Sequence, residues 1–301
     1  MRVLVTGAAG FIGRRVVPRL VARGDEVVAL VHRARSVAPS DRLVVVEGSV
    51  TDAAAVARAG DGCAAIVHLA ASGAADAALV HAVNVDGTRN VLAAARAAGG
   101  ARVVFTSSIS ALRERRGPYG ETKRAAEEAI RASGLPWVIL RPSLVYGELG
   151  TGLVAALARY LRTLPVVPVI GNGEIRLDPI HVDDVCDVIA QCLVRDDVVG
   201  RTYDLLGPER VTFNDFLRRL GTALGVERRL VHVPIAAALL GARVLGALSA
   251  RPPITVDNVL GLVSPAAVDP APLARDFTLR WTPLAAGLRA MAAGEPAGAP
   301  T

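Results

Sequence analysis

The sequence predicts an α/β protein: a doubly wound parallel sheet followed by a small, mainly helical C-terminal cap. Three observations carry that expectation. Short Val/Ile/Leu-rich runs bounded by Gly and polar residues recur through the first half, Ala/Leu/Arg-rich helical stretches separate them, and the runs are apolar almost throughout instead of alternating. Strands buried on both faces lose the two-residue alternation, so this pattern points to a parallel sheet covered by helices on each side. In order, the runs are RVLVTG from Arg2, EVVALV from Glu26, RLVVVEG from Arg42, AAIVHLA from Ala64, ARVVFTSS from Ala101 and PWVILRPS from Pro136. PIHVDD from Pro179 and TYDLLG from Thr202 are expected to return as later strands of the same sheet.

The second half reads differently. GTGLVAALARYLRTL, VTFNDFLRRLGTALG and PIAAALLGARVLGALSA are helical and joined by Pro/Gly-rich connections. The division expected is residues 1–150 plus about 178–205 for the sheet domain, about 151–177 and 206–290 for the cap, and 291–301 as a disordered tail. A cap beyond the strand C-termini would close a substrate pocket, because ligands of open α/β sheets bind in that crevice.

Composition narrows the function classes. The 301 residues are 52% hydrophobic, enough for a sizeable core, and the net charge is +6 with a pI near 9.9. The basic residues are 33 arginines and a single lysine, Lys123; the arginines are dispersed and aromatics are only 4%, so no nucleic-acid partner is expected. Cys63, Cys186 and Cys192 make neither a zinc motif nor an even disulfide framework, which fits a reducing cytoplasm and no metal. The apolar stretch from Pro234 to Ala250 contains Arg243 and is shorter than the roughly 20 residues of a membrane span. It is expected to face a pocket or core.

Gly7, Gly10 and Gly13 in VTGAAGFIG follow the first run and open a helix, the context in which glycines let backbone amides approach a pyrophosphate. Pro18 inside that helix is expected to kink it. At the end of the second run an acidic residue would bind both ribose hydroxyls of NAD, whereas a 2'-phosphate needs cations. Val31 stands at that position, followed by His32, Arg33 and Arg35, so the expected cofactor is NADP(H), with Arg33 the leading phosphate ligand.

After the fifth run come Ser107 and Ser108, then PYGETK, which places Tyr119 four residues before Lys123 and on the same helix face. A phenol of ordinary pKa is a poor proton carrier at neutral pH, and a neighbouring ammonium lowers that pKa. Ser108 is placed to polarise a substrate carbonyl. The only lysine falls four residues after one of four tyrosines, an outcome with a chance of roughly 4 in 301 under random placement. Arginine carries the charge but not the compact ammonium, which gives the exception a physical reason.

These residues resemble the extended branch of the short-chain dehydrogenase/reductase family, the NAD(P)-dependent epimerase/dehydratase-like Rossmann proteins. The resemblance runs through VTGAAGFIG, VHLAA, NVDGT, YGETK, RPSLVYG, PIHVDDV and RWTPLAAGL, nearly the whole chain. It implies a catalytic triad of Ser108, Tyr119 and Lys123, the last two also touching the cofactor. It implies Phe11 and Ile12 at the pyrophosphate, Ser49 and Val50 beside the adenine, and Leu69, Ala70 and Ala71 along the cofactor. Asn84 would support the loop below the nicotinamide, Pro142 and Ser143 would flank its carboxamide, and a homodimer is the family expectation. Where nucleotide-sugar enzymes of the family place an arginine directly before an aspartate, this chain has RLDPIHV, with Arg176 displaced by one residue. The segment from Val233 resembles the branch of hydroxysteroid-type dehydrogenases and flavonol-type reductases.

The reading is an NADP(H)-dependent oxidoreductase acting on a ketone or secondary alcohol of a small molecule. Two alternatives stand: a nucleotide-sugar epimerase or dehydratase with transient hydride transfer, and a non-catalytic NADP-binding sensor or assembly subunit. His68 and His181 are read as strand-end histidines, Asp183 and Asp184 as caps of the following helix, and Tyr146 as either pocket lining or packing.

Overall fold

The computed structural model describes residues 1–33, 37, 40–74, 76–147, 153–249 and 255–294. Six of the apolar runs become β1 (Arg2–Thr6), β2 (Glu26–Val31), β3 (Leu43–Glu47), β4 (Ala65–His68), β5 (Arg102–Thr106) and β6 (Trp137–Pro142). Between them lie α1 (Gly13–Ala22), α2 (Ala53–Gly60), α3 (Ala77–His81), α4 (Gly87–Ala97) and α5 (Pro118–Arg131). β7 (Val145–Tyr146), α6 (Leu153–Thr163), β8 (Val166–Ile170), β9 (Arg176–Leu177), β10 (Ile180–His181), α7 (Val182–Cys192) and β11 (Arg201–Leu205) follow. The chain continues through β12 (Val211–Thr212), α8 (Phe213–Ala223), β13 (Arg229–Val233), α9 (Ile235–Leu248), α10 (Val256–Gly261), α11 (Ala271–Asp276) and α12 (Leu284–Gly294).

Seven strands form one parallel sheet in the order β11-β6-β5-β4-β1-β2-β3. The order reverses between β1 and β4, and the crevice beyond their C-terminal ends is where such a sheet binds its ligand. Alternate residues of each strand feed opposite layers. Val3 and Val5 pack toward α1 and α7, Leu4 and Ile66 toward α2 and α4, and all four are fully buried. Each such side chain contributes roughly 1.5–3 kcal/mol of burial. α1 runs unbroken through Pro18, whose missing amide would have bonded Arg14; both residues are exposed, so water can satisfy the freed carbonyl.

The C-terminal portion has its own core, in which Val154, Leu157, Val169, Phe213, Phe216, Leu220 and Leu288 are buried together. It is less purely helical than its composition suggests: β8 and β13 pair in parallel and β9 pairs with β12. TYDLLG supplies the edge strand β11, but PIHVDD does not return to the main sheet; its Ile180 and His181 pair with Val145 and Tyr146 alone. The run is too short to form a ladder before α7 begins at Val182. Residues from Leu273 to Trp281 fall inside the range expected for the cap, yet they pack on the sheet side, with Phe277 edge-on to Tyr203. The expected tail is helical as far as Gly294, anchored by buried Leu284, Leu288 and Met291; residues 295–301 lie outside the described part.

α7 is capped by His181, whose Nδ1 accepts the Asp183 amide, and not by its aspartates. Asp183 pairs with Arg15 and Arg19 of α1, which holds its carboxyl below the usual range despite burial, and Asp184 accepts two bonds from Thr282. Tyr146 is a packing residue, buried against His181 and Gly287, with burial pushing its phenol up. α9 meets its expectation in part: Ile235 lines a cavity and Ala238, Leu239 and Ala242 pack with Ile170 and Val259, whereas Leu240, Val244 and Leu248 stand exposed. Among the described residues no helix is long and apolar enough to cross a membrane.

Candidate active site

The turn from β1 into α1 leaves no room for side chains. Gly7 has φ +68°, and a Cβ there would stand 2.8 Å from the Ala70 amide nitrogen; at Gly13 it would lie 2.3 Å from the Gly7 carbonyl. Gly10 donates its amide to the Gly7 oxygen at 2.9 Å, closing the turn. α1 then starts without a side-chain cap and without an acidic residue in its first turn, so its positive end faces the crevice uncompensated. A glycine-lined cradle at a switch point fits a dinucleotide pyrophosphate. Phe11 and Ile12 sit half-buried in this turn, and Leu69, Ala70 and Ala71 leave β4 directly opposite it.

A buried chain of hydrogen bonds ties this loop to the middle of the sheet. The Ala70 amide donates to Thr6 Oγ1 at 3.3 Å, and Thr6 Oγ1 meets His68 Nδ1 at 2.7 Å. His68 Nε2 meets Thr88 Oγ1 at 3.0 Å, and that hydroxyl donates to the Asn84 carbonyl at 2.6 Å. Since Thr88 gives its proton to Asn84, it must accept from Nε2, which makes His68 the neutral Nε2–H tautomer. Burial, with Lys123 nearby, pushes His68 down to about 3, in agreement. His68 ends β4 as read, but its role is to brace the loop.

Asn84 lies in a single π-helical turn, Ala82–Asp86, and is itself buried. Its amide accepts from the Ser72 amide (2.8 Å) and donates to the Ser72 carbonyl (3.0 Å) and to Thr122 Oγ1 (2.9 Å). One side chain therefore links the loop after β4 to α5.

Gly117 is the N-cap of α5 and Pro118 opens its first turn, an arrangement that sets the helix without a side-chain cap. Its buried residues are Gly120, Thr122, Lys123, Ala126, Glu127 and Ile130, the three-and-four spacing of one face. Lys123 is only 1% exposed. Its ammonium donates to the Thr106 carbonyl at 2.8 Å, sits 4.7 Å from the Phe105 ring centre and 5.9 Å from that of Tyr119. Burial pushes Lys123 down to about 7, and Glu127 opposes that shift. Ser108 caps the 3₁₀ turn Ile109–Leu112, its oxygen accepting the Ser110 amide at 3.1 Å, so its own O–H stays available to donate.

Ser108, Tyr119 and Ser143 share a cavity of about 1300 Å³. Its lining includes apolar Leu144, Leu153, Ile170, Leu177, Ile235 and Leu262, interleaved with polar Asn172, Glu174, Thr255 and Asn258. Arg113, Arg176 and Arg210 also line it, and Arg210 is held by Asp178 at 2.7 Å. Pro142, buried, ends β6, and the Ser143 hydroxyl bonds the Asp178 carbonyl.

The strand-end cofactor selectors are less gathered. β2 ends on buried Val31, with His32 and Arg33 exposed just beyond it; Arg35 lies outside the described residues. Glu47, which sequence reading passed over, is the register partner of Val31 at the end of β3. Ser49 turns its hydroxyl toward Thr51 at 2.8 Å, and Val50 is buried beside Gly87.

The family model for the NAD dependent epimerase/dehydratase family matches residues 3–205. The chain belongs to this family. A ceramide reductase of Caulobacter vibrioides is 33% identical over 241 residues, covering 77% of this chain and 73% of that protein. A 2-alkyl-3-oxoalkanoate reductase of Stenotrophomonas maltophilia is 30% identical over 260 residues, covering 76% and 77%. An uncharacterized protein of Mycobacterium tuberculosis is 33% identical over 227 residues, which is 75% of this chain but 23% of that one, so the chain spans about a quarter of its length. Among solved structures, a dTDP-glucose 4,6-dehydratase of Streptomyces venezuelae with NAD bound has a TM-score of 0.77 at 26% identity, covering 98% of this chain and 96% of the other. This family member thus shares its architecture with sugar-nucleotide enzymes and its sequence with reductases.

Proposed function

We propose that the protein is an NADP(H)-dependent oxidoreductase that interconverts a ketone and a secondary alcohol of a small molecule through Ser108, Tyr119 and Lys123. The observation that carries this reading is the position of the chain's one lysine, buried on the same helix face as Tyr119 beneath a cavity that Ser108 also lines. A bound nicotinamide would supply or accept the hydride. Gly7, Gly10, Phe11, Ile12 and Gly13 would hold its pyrophosphate, and Lys123 and Tyr119 would hold its nicotinamide ribose. Ser108 donates to the substrate oxygen and orients it; Tyr119 passes the proton between its phenol oxygen and that oxygen; the Lys123 ammonium favours the phenolate. The polar groups around Asn84 fix the cofactor-side loop, and the apolar residues on the cap side exclude water.

An apolar ketone is the favoured substrate class, given the leucine-rich wall and reductase relatives whose names specify ceramide and an alkyl-oxoalkanoate. The epimerase or dehydratase reading is favoured by the NAD-bound structural neighbours. Glu47 beside Val31 favours NAD in the same way, against His32 and Arg33 for NADP(H). The deciding experiment follows cofactor absorbance with NADPH and with NADH against apolar ketones and nucleotide keto-sugars. Net NADPH consumption with an apolar ketone is expected; a retained nicotinamide with sugar turnover and no net consumption would replace this reading by the alternative.

A further inference from the structure

We propose that Glu127 is a positioning residue of the reaction centre, its buried carboxylate keeping the Lys123 ammonium charged and fixing the strand ends that bear Ser108 and Ser143. The inference deepens the reading above and rests on Lys123 serving Tyr119.

Tyr119, Lys123 and Glu127 follow one another at four-residue steps, so they form a single row along the buried face of α5. Glu127 is 1% exposed and its oxygens are saturated. Ser107 Oγ donates to Oε1 at 2.6 Å; Arg141 donates to Oε1 at 2.8 Å and to Oε2 at 2.7 Å; Arg131 donates to Oε2 at 2.8 Å. Ser107 stands between Thr106, whose carbonyl accepts the lysine's hydrogen bond, and Ser108. Arg141 precedes Pro142 and Ser143 at the end of β6. One carboxylate thus joins the catalytic helix to two strand ends at the level of the cavity.

The electrostatic part follows from what else faces Lys123. On α5 there are Tyr119 and Glu127, with Arg131 beyond. β4 offers His68, which is neutral; β5 offers the Phe105 ring and the Thr106 carbonyl; the turn before α4 offers uncharged Asn84. Arg141 and Asp204 lie behind Glu127, joined to each other at 3.4 Å. Among the described residues Glu127 is therefore the negative charge in that shell that opposes desolvation of the ammonium, and with it gone the buried lysine would shed its proton at lower pH.

The chain's composition gives a direct readout. With one lysine, protein labelled with [13Cε]lysine and carrying no added lysine shows a single such side-chain signal, whose pH titration reports Lys123 alone. Glu127→Gln is expected to lower the midpoint by about one pH unit, the size of shift a close opposite charge produces. Glu127→Asp should restore it. Arg141→Gln, which leaves the carboxylate less neutralised, should raise it. The alkaline limb of the kcat profile is expected to move in the same directions. An unmoved midpoint in Glu127→Gln beside a lowered Tm makes Glu127 a structural brace only and overturns the proposal. Should that variant not fold, an unmoved midpoint in Arg141→Gln does so. Failure of the catalytic reading itself would show separately, as full activity in Tyr119→Phe, with the lysine titration still reporting on Glu127.

Discussion

The inner face of α5 and the cap wall across the cavity solve opposite problems. Along α5 and the strand ends it touches, most polar groups have fixed partners, the buried Thr106 hydroxyl being an exception: Lys123 bonds the Thr106 carbonyl, Glu127 Ser107 and two arginines, Asn84 Ser72 and Thr122, and His68 two threonines. A satisfied buried network has few alternative arrangements, because each rearrangement strands a donor or acceptor in low dielectric. The cap side carries leucines, isoleucines and valines, whose contacts are non-directional, beside polar Asn172, Glu174 and Asn258, and the neighbouring α9 buries only Ala242. Apolar walls can repack around different shapes at little cost. On the proposed function, the chemistry is held rigid on the sheet side and the choice of substrate rests with the adaptable side.

Substitutions on either side sharpen this contrast. The largest effect is expected at Lys123→Met, which should reduce kcat by about 10²–10⁴-fold, the usual contribution of acid–base assistance. The same variant removes the pH dependence that burial of the charge imposes on stability, while leaving the Thr106 carbonyl without its donor. The sign follows from proton binding. Folded Lys123 titrates near 7 and the unfolded chain near 10.5, so the unfolded state holds more protons between those values. The destabilisation is full below pH 7 and fades as pH rises toward 10.5, and Lys123→Met should flatten that slope in denaturant unfolding measured across pH.

On the other wall, Leu177→Ala is expected to change kcat/KM for a bulky apolar ketone relative to a small one by about tenfold, with kcat for the small ketone nearly unchanged. A uniform loss for both would mean the wall is as rigid as the helix side. The smallest effect is expected at Leu240→Gln on the exposed face of α9, within about 0.5 kcal/mol in thermal unfolding. A larger loss would show that this face is covered in solution.

The same contrast explains what the sequence reveals. Strands β1, β2, β4, β5 and β6 are legible because burial on both faces writes near-continuous apolar runs, whereas edge strand β3 is legible from its valines although Val44 is exposed; the glycine turn is legible because a Cβ at Gly7, Gly10 or Gly13 would meet backbone at 3.0 Å or less. Tyr119 and Lys123 are legible because a composition rich in arginine makes one lysine informative. Glu127 is not, although it stands four residues after Lys123. In a chain with many charges it reads as a solvated helix glutamate until Arg141, brought alongside by strand pairing, shows that it is buried. β8 and β13 are hidden for a related reason: VVPVI carries a proline and RLVHV begins with an arginine, and their pairing joins segments far apart in sequence. The fate of α9 is hidden too, since a largely apolar helix looks buried whatever its neighbours turn out to be.

The proposal that Tyr119 carries the proton assigns most of the grip on the cofactor to other groups, the glycine turn and Lys123. Its most direct test is Tyr119→Phe, with kcat for ketone reduction and Kd for NADPH measured on the same preparation. A fall in kcat of about 10²–10⁴-fold with Kd essentially unchanged is the result expected. Retention of near-full turnover would contradict it.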